Sequence, residues 1–246
     1  MIASRFAVVA VISLIMAKSS ESANVQHGCY QNTVNQNECK KAIATIKLDR
    51  HDRLPPSESE VRTISGSCSL VVFNKKLFQD VTMDQITQGL ATHFKNCPNK
   101  AGFFALPGNE EVMVQIKTRA APGSQWNAWN ADAELNKPYC FKPKGDQDIA
   151  SSEDCIAAYH KIPSDPQTGF FIHTPPRGFQ ISSGSCTVII STTDGSVIKM
   201  NKKDSDSAII AMMKECGKLK LPGVVNVKGA EGPNGKVFVQ TIHHQN

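Results

Sequence analysis

Eight cysteines carry most of the reactive chemistry in this 246-residue chain: Cys29, Cys39, Cys68, Cys97, Cys140, Cys155, Cys186 and Cys216. A thiol can be a nucleophile, a metal ligand or half of a disulfide. An even count behind a secretory leader reads as disulfides. No CxxC pair occurs, so no redox motif, metal or cofactor is expected. Two cysteines follow a Gly-Ser turn, Gly66-Ser67-Cys68 and Gly184-Ser185-Cys186, and each then leads into a β-branched run. Serines beside a cysteine suggest an active-site turn. Strand alternation argues otherwise, because Cys68 points the same way as Leu70 and Val72, and Cys186 the same way as Val188 and Ile190.

Other catalytic types are scattered. His243 and His244 are adjacent, so along a strand they would face opposite sides, which spoils them as a metal pair. His93, His160 and His173 have no partner at the matching place in the other half. No nucleophile elbow, HExxH, phosphate loop or nominated His/Lys nuclease pair is present. No catalytic residue is expected, and the chain reads as a non-enzymatic protein.

The ends and the composition set the context. Arg5 precedes an apolar run from Phe6 to Ala17, followed by small and polar residues. That is the layout of a signal peptide over 1–23, and the run is too short to span a bilayer. From Asn24 onward 25 basic residues face 21 acidic ones, scattered along the chain, a net charge of about +4. Neither nucleic acid nor a membrane is implied as a partner. The expectation is a secreted monomer.

The elements that must position the cysteines repeat. Cysteine steps are 10, 29 and 29 residues in the first half and 15, 31 and 30 in the second. Glu38-Cys39 with Ala42, Ile43 and Ile46 matches Asp154-Cys155 with Ala158, Tyr159 and Ile162. Val112, Val114 and Ile116 match Val237, Val239 and Thr241. The chain reads as a duplication: a first module over 24–118, a linker over 119–137 holding Trp126 and Trp129, and a second module over 138–246. Helices are predicted from near Glu38 (capped by Asn35 or Asn37), after Thr82, after Ser151, and after Asp204 or Ser205 with Gly217 as the stop. Strands are predicted over 61–64, from Cys68, over 102–106, over 112–116, over 169–174, from Cys186, over 224–228 and over 236–242. The order per module is α-β-β-α-β-β. The fold class is therefore α+β, two tandem two-layer α/β sandwiches of the ferredoxin-like kind, each a sheet of about four strands with both helices on one face. Cys29 is expected on a free N-terminal arm. Four cysteines allow three pairings. Side-chain direction favours Cys39–Cys68 with Cys29–Cys97, and Cys155–Cys186 with Cys140–Cys216.

An acidic-Cys pair opening a helix, a Gly-Ser-Cys strand, a second helix and a closing Val-x-Val strand resemble small secreted cysteine-rich effectors of plant-pathogenic fungi. The α/β sandwich is similar to that of smut-fungus killer toxins, and the two copies are similar to rust avirulence proteins. The resemblance covers Cys29–Thr118 and Cys140–Ile242. It implies secretion during infection, interference with host immunity, and recognition by a host resistance protein; the expected function is a non-enzymatic effector, secreted and in some cases delivered into host cells, that binds a host protein. It supplies no catalytic residue. The alternatives are a killer-toxin-like antimicrobial or channel-blocking protein, and a secreted nuclease or protease inhibitor. The loops 49–59 and 164–178 differ most between the copies and are where specificity is expected.

Overall fold

A computed structural model describes residues 27–77, 80–143, 149–172, 174–175 and 178–243. The signal segment 1–23, His173 and His244 lie outside these residues. The first module holds β1 (His27–Thr33), α1 (Gln36–Ile43), β2 (Glu60–Ser65), β3 (Cys68–Asn74), α2 (Met83–Asn96), β4 (Lys100–Leu106) and β5 (Asn109–Thr118). The second holds β6 (Pro138–Cys140), α3 (Ser152–His160), β7 (Gly178–Ser183), β8 (Cys186–Thr192), α4 (Lys202–Lys218), β9 (Gly223–Val227) and β10 (Val237–His243). Each module is a five-stranded antiparallel sheet with two helices, and the strand orders are β1-β4-β5-β3-β2 and β6-β9-β10-β8-β7. The order α-β-β-α-β-β thus runs in both modules, preceded by one further edge strand. Cys29 therefore sits in β1, paired with Gly102, and not on a free arm.

Alternation decides what faces the helices. Leu70, Val72, Val114 and Ile116 of the first sheet are buried against Ile43, Ile86 and Leu90 of its helices. Val188, Ile190, Val225 and Val239 do the same against Tyr159, Ile209 and Met212. Thr82 and Gln85 form the reciprocal capping box of α2, and Asn35 caps α1. Three predicted boundaries move. The α4 cap is Asn201, whose side chain accepts from the Lys203 amide. Ser205 lies inside that helix, its hydroxyl bonded to the Asn201 carbonyl at 2.8 Å. The helix runs past Gly217, with Leu219 as its C-cap, and the left-handed residue is Lys220 (φ 54°). The strand expected over 169–174 is not formed. Phe170 and Phe171 make only isolated bridges, and the hairpin partner of β8 is β7, which runs directly into the Gly-Ser-Cys turn.

Four disulfides tie the helices to the sheets: Cys39–Cys68 and Cys155–Cys186 join the first helix of each module to a central strand, and Cys29–Cys97 and Cys140–Cys216 join the edge strand to the end of the second helix. A bridge closing a loop of this length contributes about 3 kcal/mol. The acidic residue before each helix cysteine has a partner too. Glu38 accepts from the Ser67 amide (2.7 Å) and hydroxyl (2.6 Å). Asp154 accepts from the Ser185 amide (2.8 Å) and hydroxyl (2.7 Å). Gly66 and Gly184 hold φ near +50°, and a Cβ on either would strike that carboxylate. The two motifs read separately in the sequence are one device, an acid clamp beside a disulfide. Its hydrogen bonds hold both carboxyl groups below their usual pKa.

Candidate functional site: a groove on the first sheet and the junction beside it

The sheet faces turned away from the helices differ. On the first sheet, Tyr30, Ala101, Ser69, Val71, Lys117 and Arg62 point outward and line a groove of about 820 Å³. Its other wall is the segment 119–130, including Arg119, Ser124, Trp126 and Trp129. That volume lies within the range of small-molecule and peptide pockets. Tyr30 accepts a hydrogen bond from the Gln115 side chain at 2.9 Å. Arg62 pairs with Glu60 and lies over the Trp129 ring, 4.7 Å from its centroid. The Lys117 side chain makes no hydrogen bond or salt bridge among the described residues, although it lies in the field of both Arg62 and Glu60. Burial, then the charge of Arg62, pushes its ammonium below the usual lysine range. Trp126 is 55% exposed at the rim. The groove thus offers an unpaired cation on its floor and an aromatic plane at its edge.

The wall is fixed and does not behave as a slack tether. Arg119 forms a bidentate pair with Asp132 (2.9 and 2.6 Å) and donates to the Gly66 carbonyl. Asn130 clasps Ala120 through both its amide groups. Lys236 donates to the carbonyls of Ala131 and Ala133, and Asn226 to that of Ala128. Trp129 stacks on Phe238 with centroids 4.2 Å apart. Ala128, Phe141, Val224 and Phe238 form a small core on the outer face of the second sheet, with Trp129 and Tyr139 against it. The same segment therefore covers the second sheet and leaves the first open.

Beside the groove the modules meet through a buried polar junction. The turn at Asn234, expected from Pro233-Asn234-Gly235, reaches into the first module. Its side chain accepts from the Lys47 amide and donates to the Lys47 carbonyl, both at 2.8 Å. Glu58 accepts from the Asn234 amide and side chain, both at 2.7 Å. The Glu60 amide donates to the Asp194 carbonyl at 3.0 Å. Glu58 and Asp194 are both fully enclosed. Burial, reinforced by Asp194, pushes the Glu58 carboxyl up to about 7, against the opposing effect of the Asn234 hydrogen bonds. A proton on Glu58 supplies a donor to Asp194 Oδ2, which otherwise has none.

The sequence-derived candidates fall as follows. All eight cysteines lie in bridges, and none is free. The 49–59 loop, expected to carry specificity, ends in Glu58 and Ser59 of the junction, so part of it is structural. In the 164–172 stretch, Asp165 caps its own turn by accepting from the Gln167 and Thr168 amides, and Phe170 is 45% exposed. His243 is not frayed: it pairs with Cys186 at the end of β10. Sequence reasoning does not single out Tyr30, Arg62 or Lys117, although the register of Arg62 follows from the buried Val61 and Thr63 beside it and that of Lys117 from Ile116.

No family model matches this chain, and no curated protein matches it. Among solved structures, it is similar to the tandem DUF26 ectodomain of the Arabidopsis thaliana cysteine-rich receptor-like protein PDLP5, with 13% identity, 89% of this chain and 98% of that one covered, and a TM-score of 0.28. The matching ectodomain of PDLP8 gives 12% identity, the same coverage and a TM-score of 0.25. Among the described residues, no helix is long and apolar enough to cross a membrane.

Proposed function

We propose that this is a secreted, non-enzymatic effector of a plant pathogen that binds a host protein through the groove on its first sheet, and that a host immune receptor recognises it. The observation that carries the reading is that the exposed Lys117, whose ammonium has no hydrogen-bond partner, and the exposed Trp126 line the same open groove. A cation beside an aromatic plane suits a segment with an acidic side chain and an apolar neighbour. Aromatic and charged groups at the centre of a cleft are the usual anchors of such contacts. The four bridges suit an extracellular route.

The test uses the full secreted chain on host tissue, with capture quantified by mass spectrometry and host cell death scored in parallel. Lys117→Glu and Trp126→Ala should each lower capture of the specific partner by about tenfold or more. Lys214→Glu, on the exposed side of α4, should leave it unchanged. Capture and cell death unaffected by both groove substitutions would remove the groove from the interaction. Growth inhibition of competing microbes that the same substitutions abolish would replace the effector reading with an antimicrobial one.

A further inference from the structure

We propose that His27, Cys29, His93 and Cys97 are a latent zinc site, assembled when a thiol reductant opens the Cys29–Cys97 bridge. This does not depend on the groove. His27 and Cys29 are two residues apart on β1 and so share one face of the edge strand. His93 lies one turn before Cys97 at the end of α2. The His27 Nε2 atom is 3.3 Å from Cys97 Sγ. One donor atom from each of His27, His93 and Cys97 falls within 4.8 Å of the others, and Cys29 Sγ is bonded to Cys97 Sγ. With Zn–S near 2.3 Å and Zn–N near 2.0–2.1 Å, tetrahedral donors stand about 3.3–3.8 Å apart. The two sulfurs need only separate from bonding distance to reach that spacing.

His93 is already oriented as a ligand. It is fully buried, and its Nε2 lies 3.0 Å from the Lys100 carbonyl. A carbonyl can only accept, so Nε2 carries the proton and Nδ1 is a bare lone pair. Metal-binding histidines are held by this kind of outer hydrogen bond. Nδ1 has no hydrogen-bond partner. Gly102 makes room for the ring, because a Cβ there would lie 2.6 Å from His93 Cε1.

The second module shows that the fold does not require the imidazole. At the matching bridge, Cys140–Cys216, Met212 stands in the place of His93 and Pro138 in that of His27. Gly223 meets Met212 Sδ as Gly102 meets the ring. An apolar side chain fills the position there with no polar demand.

In the oxidised chain the sulfurs are not thiolates and bind metal poorly. A thiol reductant delivers two electrons: two R–SH become R–S–S–R, the Cys29–Cys97 bond breaks, and two cysteine thiols form. On meeting Zn²⁺ each thiol loses its proton to solvent, and each sulfur donates a lone pair to the metal. Cys29 is exposed, whereas Cys39, Cys68, Cys155 and Cys186 are buried, so this bridge is open to attack ahead of the two central ones.

The test uses the full secreted chain under mild thiol reduction, with alkylation mapping to identify the opened bridge and Co²⁺ as the spectroscopic probe. One Co²⁺ per chain with the visible bands of a tetrahedral two-sulfur, two-nitrogen site is expected, displaced by Zn²⁺. His93→Met copies the second module, so it should fold, and it should lose the bands, as should His27→Asn. Zn²⁺ present during reduction should hold the melting temperature of the wild type and not that of His93→Met. No one-metal complex, bands unchanged in His93→Met, or equal melting of both proteins with Zn²⁺ would overturn the proposal.

Discussion

The two modules share almost everything on their helix-facing sides and little on their outer faces. Each has an acid clamp, a helix-to-strand bridge and an edge-strand bridge in the same places. Outside, the second sheet is sealed by Trp129 and Phe141 over Phe238 and Val224, while the first keeps Lys117, Tyr30 and Ser69 in an open groove. The repeated residues are those that hold the sandwich together. The unrepeated ones lie on the groove, the module junction and the histidine-flanked bridge. Function is best sought where the copies differ.

The largest effect tests the shared half of that comparison. Cys39→Ala with Cys68→Ala opens a bridge spanning 29 residues, and Cys155→Ala with Cys186→Ala one spanning 31. Closure entropy depends weakly on length, so each double variant should lose about 3 kcal/mol, equal to within about 1 kcal/mol. Guanidinium unfolding of each variant measures this. A much smaller loss in one module would show that the matching frameworks do unequal work.

Much of that framework was legible because it is local and periodic. Leu70, Val72 and Cys68 share a face by simple alternation, and the capping box from Thr82 to Gln85 spans only four residues. What the sequence did not reveal depends on long-range pairing. Cys29 reads as part of an arm because the seven polar residues of β1 look like loop until β4 lies alongside. Sequence reading puts a strand at 169–174, yet Phe170 is exposed and the hairpin register selects 178–183 as the partner of β8. Glu38 and Gly66-Ser67 were each noticed, but only folding shows that one holds the other. The groove has the same origin. Lys117 follows the buried Ile116 and so faces outward, but that it stays uncovered depends on where the 119–137 segment settles.

The next effect concerns the seam between the modules. Burial raises the Glu58 carboxyl from its ordinary 4.5 to about 7. The folded state therefore holds a proton that the unfolded chain releases above about pH 4.5. Stability is greatest on the acid side and falls as pH rises from about 4.5 through 7, by about 2–3 kcal/mol after allowance for partial screening. Glu58→Gln removes the titrating carboxyl, keeps one oxygen to accept from Asn234 and puts an amide donor where the other accepted. It should flatten the decline between pH 5 and pH 8 in thermal melts monitored by circular dichroism. A slope unchanged by Glu58→Gln would assign the pH dependence elsewhere and leave the junction insensitive to protons.

The smallest effect separates the two tryptophans of the inter-module segment, which sequence reasoning treated alike. Trp129 lies between Phe238 and Arg62, so its truncation removes a stacked contact on both modules. Trp129→Ala should cost about 2 kcal/mol. Trp126 is 55% exposed at the groove rim, and Trp126→Ala should change stability by less than about 0.5 kcal/mol. Denaturant midpoints of the two variants check the contrast. If Trp126→Ala destabilises as much as Trp129→Ala, then Trp126 is a packing residue and the groove loses its aromatic wall. If it is neutral for folding while partner capture falls, then packing does not account for the exposed ring. That would set the open face of the first module apart from the sealed face of the second as the face that binds.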